Sequence, residues 1–446
     1  MVEEPKSDSP PQGRLLTGWR IACIVTVIAS IVAYLPSMGG LAIWDDHALI
    51  GGSGIGGGKS LAACFTEPFL LHYFRPLVSV SFFLDHRMSG TGPFFYHQTN
   101  LLIHAATTLL CIFLFREAFR SKAAAIAGGI AFALHPAQVS TVAWIGGRTD
   151  SLCTLWVTLF AWALICSVRR HGRSGIAWTA LSVAAFGMAL LTKEQAISLL
   201  PVVPFAAWCF GDAPGRDRLR SGARRTLPYF GVAAAFVAAW FVFYPAPHPP
   251  VLHALGEQAA LAGRSITYYT ALLAIPTPGT MHLLSVGTLE RWGPTSVLPG
   301  YALLAAGIAF IARSHRRSPA AAWFCAFLLL GMLPVSNIVP LPSLVVAPYR
   351  VGICGPAAAA LLALLFISGW RRAVPSAAGA KSRGLTAPTP ESGAGAAQPL
   401  PRRPLRSPAT ARVRLVLGCA AAVWCAGLTY WGSGRWADER TIFQTI

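Results

Sequence analysis

The sequence predicts an all-α, polytopic membrane protein with about 11 transmembrane helices and a long extracytoplasmic first loop. Three observations predict it. Of 446 residues, 54% are hydrophobic and only 12% charged, against roughly a quarter charged in a soluble domain. Apolar runs long enough to cross a bilayer recur near residues 19–37, 97–117, 122–140, 151–168, 175–192, 195–210, 227–244, 298–312, 319–336, 349–370 and 412–431. The basic residues, which give a net charge of +19 (36 Lys+Arg against 17 Asp+Glu), gather in short links between those runs.

Taken in order, Met1–Gly13 is polar and lacks the apolar core and cleavage site of a signal peptide. Residues 1–18 are therefore expected as a cytoplasmic tail and 19–37 as a retained span. With the N-terminus inside, every basic link falls inside: Arg116–Lys122, Arg169–Arg173, Arg216–Arg225, Arg313–Arg317 and Arg371–Arg414. That is the bias cytoplasmic loops carry, and it leaves the C-terminus outside. The loop Gly39–Tyr96 is then extracytoplasmic. Its Gly51–Gly58 stretch lacks the strand and helix entry of a phosphate loop and reads as a surface loop. Phe74–Arg87 reads as an amphipathic helix at the outer surface. Arg264–Leu284 is expected as an interfacial or re-entrant helix, because a crossing there would carry Arg313–Arg317 outside. Its Tyr268 and Tyr269 suit the head-group level. The organisation expected is a transmembrane region over 19–370 with the extracytoplasmic loop 39–96, a disordered basic linker over 371–411, and a last span with a short outer tail over 412–446.

Composition also excludes classes. The positive charge lies in membrane-flanking links, which suits anionic lipid head groups and not nucleic acid. The ten cysteines sit mostly inside apolar runs and show neither a disulfide framework nor zinc spacing. Heavy use of Ala, Gly, Pro and Arg with little Lys suggests a GC-rich bacterial genome, and hence a bacterial inner (plasma) membrane.

Two adjacent carboxylates, Asp45 and Asp46, stand where the first long apolar run ends. An acid at a membrane edge is costly and marks a candidate site; the alternative is that the pair merely ends a helix and solvates a loop. Other unusual polar residues fall on the same predicted side: Arg75, His97, Asn100 and His104, His135, Arg148 and Asp150, Lys193 and Glu194, Asn337, and Arg350. Arg148 and Asp150 can equally pair with each other across Gly146-Gly147, and Lys193 with Glu194 can be interface anchors. A carboxylate pair can act as a general base or hold a divalent cation such as Mg or Mn, which would make Asp45 and Asp46 its ligands. Nearby Arg and Lys can hold a phosphate. Such a set suits transfer of a group from a lipid-linked phosphate donor to an outside hydroxyl, through an oxocarbenium-like transition state.

The ordered series Trp44-Asp45-Asp46, Phe74-Arg75-Pro76-Leu77, Tyr96-His97-Gln98-Thr99-Asn100, Ala133-Leu134-His135-Pro136, Val142 to Asp150, Leu191-Thr192-Lys193-Glu194, Ser336-Asn337 and Tyr349-Arg350 resembles the membrane region of the transmembrane and tetratricopeptide-repeat (TMTC) O-mannosyltransferases of the GT-C superfamily. The resemblance implies a GT-C-type fold and a glycosyltransferase that takes a sugar, usually mannose, from a polyprenyl-phosphate donor on the outer face. It assigns Asp45 and Asp46 to catalysis, Asp45 first as base or metal ligand. It carries His135, Arg148, Asp150, Lys193 and Arg350 over as donor-phosphate or structural site residues. Arg75, His97 and Glu194 join that group as substrate-binding candidates. Where relatives read His-Pro-x-His-x-Glu, this chain has His135-Pro136-Ala137-Gln138-Val139-Ser140. The chain also ends at Ile446 without the repeats that would hold a protein acceptor. The partners expected are the lipid-linked donor, membrane lipids, and a protein or glycolipid acceptor. The other readings are a glycolipid or envelope-polysaccharide acceptor, a non-catalytic scaffold of the same fold, and a transporter or flippase. A transporter would place charge at mid-membrane and show inverted repeats; the charges here gather at one face.

Overall fold

The computed structural model describes residues 12–51, 59–70, 73–212, 215–243, 253–281, 284–285, 289, 291–340, 345–367 and 408–436. Most of the Gly-rich stretch, residues 371–407 of the basic linker and residues 437–446 of the tail lie outside them. The main helices are α1 (Gln12–Val32), α2 (Pro76–Ser89), α3 (Pro93–Phe119), α4 (Lys122–Ala133), α5 (Arg148–Arg169), α6 (Gly172–Leu190), α7 (Val202–Phe210), α8 (Gly215–Phe243), α9 (Leu255–Ala274), α10 (Val297–Ser314), α11 (Pro319–Met332), α12 (Gly355–Ile367) and α13 (Pro408–Arg435). The extended pairing of Leu284–Ser285 with Val345–Val346 is a two-residue antiparallel ladder.

The protein is a multi-pass, all-α membrane protein. Among the described residues seven helices are long and apolar enough to cross a bilayer, Thr17–Gly39, Pro93–Phe119, Arg148–Arg169, Arg220–Phe243, Pro294–Ser314, Pro348–Leu365 and Val416–Arg435. The bent pair Lys122–Ala133 and Pro136–Val142 makes an eighth if it counts as one span, with a 49° break. Helix occupies all eleven predicted runs, but fewer than eleven are full-length apolar helices. Proline is one reason: Pro136 and Pro201 sit where the helix is interrupted, each lacking a backbone N–H.

The bundle is built around α5, of whose apolar window 72% is buried, between α3 on one side and α6 on the other. Its hydroxyls turn inward onto its own backbone, Thr154 Oγ1 donating to Asp150 O at 2.7 Å and Thr158 Oγ1 to Thr154 O at 2.6 Å. That is how a dry helix carries polar side chains without orphaned donors. α4 reaches α3 through a glycine pair. A Cβ on Gly128 would meet the Phe115 ring at 2.5 Å, and one on Gly129 would meet Ile112 at 2.5 Å, so only hydrogen permits that approach. At the other extreme, the span ending α10 has only 6% of its window buried and presents Leu298, Leu303, Ile308 and Phe310 outward.

The basic links share one end. Arg169 and Arg170 both pair with Glu117 at 3.3 Å, Arg225 Nη1 donates to Ser167 O at 3.1 Å, and His315 lies against Trp208 with ring centroids 6.1 Å apart. One expectation is corrected. α9 begins at Leu255, nine residues before the predicted segment. Its Tyr268 and Tyr269 are 1% and 0% exposed, packed into the core and not displayed at a head-group level. α2 is a helix as expected, with one face buried through Val78, Ser79, Phe82 and Asp85 and the other exposed through Leu84, Arg87 and Met88.

Candidate active site

At the end of the bundle away from the basic links lies a cavity of about 560 Å³. Its polar lining gathers Asp45, Arg75, Asp150, Lys193, Glu194 and Arg350, from five separate segments. Its apolar side is Phe236, Val237, Trp240 and Phe241 of α8 with Ile197, Pro334 and Val335. Phe236 is buried and Phe241 is 71% exposed, so this wall runs from the core out to the surface of the bundle.

Asp45 is placed by a strained entry. Trp44 adopts φ +51, a left-handed conformation that a bulky residue rarely holds without surrounding support. The support is visible: its ring stacks on Trp144 at 5.2 Å, and Trp144 lies 5.1 Å from Tyr349. The Asp45 carboxylate lines the cavity and makes no side-chain hydrogen bond among the described residues. Burial pushes its pKa above the ordinary value.

Asp46 does something else. It is fully buried, and its two oxygens accept the backbone N–H groups of Ile43 at 3.1 Å and Gly146 at 2.8 Å. It thereby ties the first loop to the turn before α5. Burial raises its pKa to about 7, against the lowering effect of the two amides; Asp45 adds to the rise and Arg148 opposes it. A Cβ on Gly146 would lie 2.5 Å from the Trp144 ring, which is why that turn needs glycine. Of the two acids expected to act together, only Asp45 lines the cavity; Asp46 lies behind it with each carboxylate oxygen held by a backbone amide. Among the described residues no group of three or more His, Cys, Asp or Glu is placed to hold an ion, and the donor set at Asp45 does not fit one.

The two ion pairs of the rim are interlocked. Arg75 donates to both Glu194 oxygens, at 3.2 and 2.8 Å, and its guanidinium lies 3.9 Å from the Tyr73 ring. Burial works against the Arg75 charge, but Glu194 outweighs it and holds its pKa above normal. Lys193 Nζ donates to Asp150 Oδ1 at 2.6 Å. Neither sequence alternative therefore holds; each charge pairs across the fold. Arg350 sits beside Tyr349 and Tyr269, and Gln195 Nε2 fixes its backbone by donating to Arg350 O at 3.1 Å and Gly331 O at 2.8 Å.

Three predicted substrate residues lie behind the wall. Arg148 is fully buried: it forms an ion pair with Asp85, donates to Asn100 Oδ1 at 2.7 Å and Tyr96 O at 2.6 Å, and lies 4.5 Å from the Phe82 ring. His135 Nδ1 accepts from Ala137 N at 3.2 Å while Nε2, which then carries the proton, donates to Leu273 O at 3.1 Å. It caps the bend and staples α9. His97 is 1% exposed beneath the loop that carries Asp45, and a Cβ on Gly40 would come within 2.9 Å of it. Asn100 completes this frame, its Nδ2 donating to Trp144 O at 2.8 Å. Gln138 and Ser140, which break the relatives' pattern, are also buried outside the cavity wall.

The sequence reading did not single out Tyr73, Trp144, Thr149, Gln195 or Trp240 as cavity residues. Trp144 and Thr149 stood within the quoted motifs but carry no titratable group, and Trp240 lies inside an apolar run.

Comparison with known proteins follows the same lines. Residues 97–244 match the family described as dolichyl-phosphate-mannose-protein mannosyltransferase. The human protein O-mannosyl-transferase TMTC2 is 33% identical over 131 residues, 29% of this chain and 16% of that protein. Drosophila melanogaster Tmtc1, also named a protein O-mannosyl-transferase, is 28% identical over 211 residues, 45% of this chain and 24% of its own length. The chain resembles the TMTC O-mannosyltransferases. The apo crystal structure of the Archaeoglobus fulgidus oligosaccharyltransferase aligns with a TM-score of 0.50 and 14% identity, covering 93% of this chain and 56% of that one. At that identity the likeness concerns the fold, which is of the GT-C type. The matched regions are a quarter or less of either curated relative's length. The family-matched residues 97–244 include Asp150, Lys193, Glu194 and the α8 residues that line the cavity, together with the frame behind it at His97 and His135.

Proposed function

We propose that this protein is a glycosyltransferase that moves a sugar, mannose or another hexose, from a polyprenyl-phosphate donor to an acceptor hydroxyl. The observation that carries the reading is the two-sided cavity. One side collects Asp45, the ion-paired Arg75 and Lys193, and Arg350; the other is an apolar wall from α8 that runs out to the surface of the bundle. A donor with a charged phosphate and a long hydrocarbon tail matches both sides. The family name given above supplies the donor class, a polyprenyl phosphate bearing mannose.

In this account Asp45 accepts the proton of the acceptor hydroxyl as that oxygen bonds to the sugar's anomeric carbon. The bond from that carbon to the donor phosphate breaks, and its electron pair leaves with the phosphate. Arg350, with Arg75 and Lys193 at the rim, stabilises the departing charge in a low-dielectric site. The carboxylate raised by burial is a stronger base than a free aspartate, which suits it to the task. The packed rings of Trp44, Trp144 and Tyr349 support the loop that carries Asp45 beside the cavity. The grouping of basic links supports an orientation with the basic end in the cytoplasm and the cavity outside, and in this account the membrane is a bacterial inner membrane. Residues 19–370 would form the catalytic region.

The acceptor favoured is a protein hydroxyl, as the relatives' names suggest. The test is transfer by purified protein in proteoliposomes from radiolabelled polyprenyl-phosphate mannose. Label on protein supports the reading; label only in the lipid extract moves the acceptor to a glycolipid. No transfer to either, with donor bound, would make the protein a scaffold.

A further inference from the structure

A second cleft runs from the basic end along α6 and α8, with a volume of about 730 Å³. The two helices touch along a seam. A Cβ on Gly187 would come within 3.2 Å of Val232, and Tyr229 OH donates to Ser182 Oγ at 2.8 Å. The cleft runs along the open side of that seam, where Ile176, Ala180 and Ala184 are exposed while Ser182 and Tyr229 are buried. There α6 offers Gly172, Gly175, Ile176, Thr179 and Val183, one face at helical spacing. Pro228 stands opposite on α8, inside the helix.

The mouth of this cleft is lined by Arg170, His171 and Arg225. Arg170 Nη2 reaches Glu117 at 3.3 Å, but its Nη1 is buried with no hydrogen-bond partner among the described residues. The guanidinium is held 5.1 Å from the Trp178 ring, and Arg225 is braced on Ser167 O at 3.1 Å. His171 caps α6 without a side-chain hydrogen bond, so the helix N-terminus adds partial positive charge at the same place. No acidic residue lines the cleft. A groove of this size falls within the usual range for ligand sites. It is apolar along its length and cationic at its mouth, and it opens sideways between two membrane helices.

We propose that this cleft binds an anionic phospholipid of the bilayer. The phosphate sits between Arg170 and Arg225, and one acyl chain lies in the groove along α6. Charge decides the occupant: a zwitterionic lipid brings its own cation to a mouth that already holds two arginines, and a detergent chain uses none of the donors. The two cavities share no lining residue, and the cationic mouth of this one is at the basic end.

The experiment is native mass spectrometry and thermal unfolding of the purified full chain in a neutral detergent. Phosphatidylglycerol, phosphatidylcholine and inorganic phosphate are added separately. Phosphatidylglycerol is expected to remain bound and to raise the melting temperature, phosphatidylcholine and inorganic phosphate to do neither. Arg170→Gln with Arg225→Gln should weaken phosphatidylglycerol at least about tenfold, the equivalent of about 1.4 kcal/mol. Because Arg170 also braces Glu117, Ala184→Trp provides a second arm: Ala184 lines the groove and is exposed, so the bulky ring fills the acyl path without entering the core. Equal binding of phosphatidylcholine, or phosphatidylglycerol binding unchanged by both variants, would overturn the proposal. Stabilisation by inorganic phosphate alone would make the cleft an anion site and overturn it too.

Discussion

Arg148→Gln separates structure from catalysis most sharply. Arg148 and Asp85 are 0% and 6% exposed, so removing the guanidinium leaves a carboxylate buried without its counter-charge. Breaking one side of such a pair costs about 3–5 kcal/mol. Asp85 keeps one donor, Thr99 Oγ1 at 2.8 Å, which places the loss near the lower end, about 3 kcal/mol. Asn100 Oδ1 and Tyr96 O also lose their donor, adding about 1 kcal/mol each. The expected total is about 4–5 kcal/mol. Unfolding in mixed micelles titrated with dodecyl sulfate, followed by tryptophan fluorescence, reads it. Arg148→Gln/Asp85→Asn should recover about 1–3 kcal/mol relative to the sum of the single changes, since contacting residues couple. The variant protein that remains folded should keep its donor KM. A stability loss under about 1 kcal/mol, or a raised donor KM in stable protein, would return Arg148 to the substrate and refute the frame described here.

Four further outcomes follow from the geometry. Gly146→Ala should drive the Trp144 ring from its position, changing near-ultraviolet circular dichroism and lowering transfer even where the protein still folds, because the turn also holds Asp46. Lys193→Gln should leave buried Asp150 without its cation and cost about 3 kcal/mol or more in the same unfolding assay; full stability would place the pair in solvent. With its pKa near 7, Asp46 holds a proton that an unfolded carboxyl has lost by pH about 4. Between those values the folded state binds more protons, so stability falls as pH rises, and Asp46→Asn should flatten that slope. If Asp45 is the base, its burial-raised pKa moves the acidic limb of kcat/KM above the usual aspartate range near 4; a limb at about 4 would argue for a solvated group.

Much of this was legible in the chain itself. The apolar runs and the grouping of basic links announce the membrane fold because bilayer thickness and charge bias act on sequence directly. The adjacency of Asp45 and Asp46, by contrast, suggested one function for both. Trp44's left-handed turn sends them to different places, one to the cavity and one to two backbone amides. Backbone strain of this kind leaves no mark in a sequence. Arg148 and His135 misled for a related reason: their partners, Asp85 and Leu273 O, lie 63 and 138 residues away, and only the packed bundle shows that their charges and protons are already committed. The aromatic wall from α8 was hidden within an ordinary apolar span, since periodicity does not distinguish a residue facing lipid from one lining a cavity.

The central claim is that Asp45 is the proton acceptor in transfer from a lipid-linked sugar. Turnover of Asp45→Asn against radiolabelled polyprenyl-phosphate sugar, in membranes where the variant's fold is verified, tests it most directly. A fall of about 10²–10⁴ in turnover is expected for losing a general base; turnover equal to the parent protein would contradict the account.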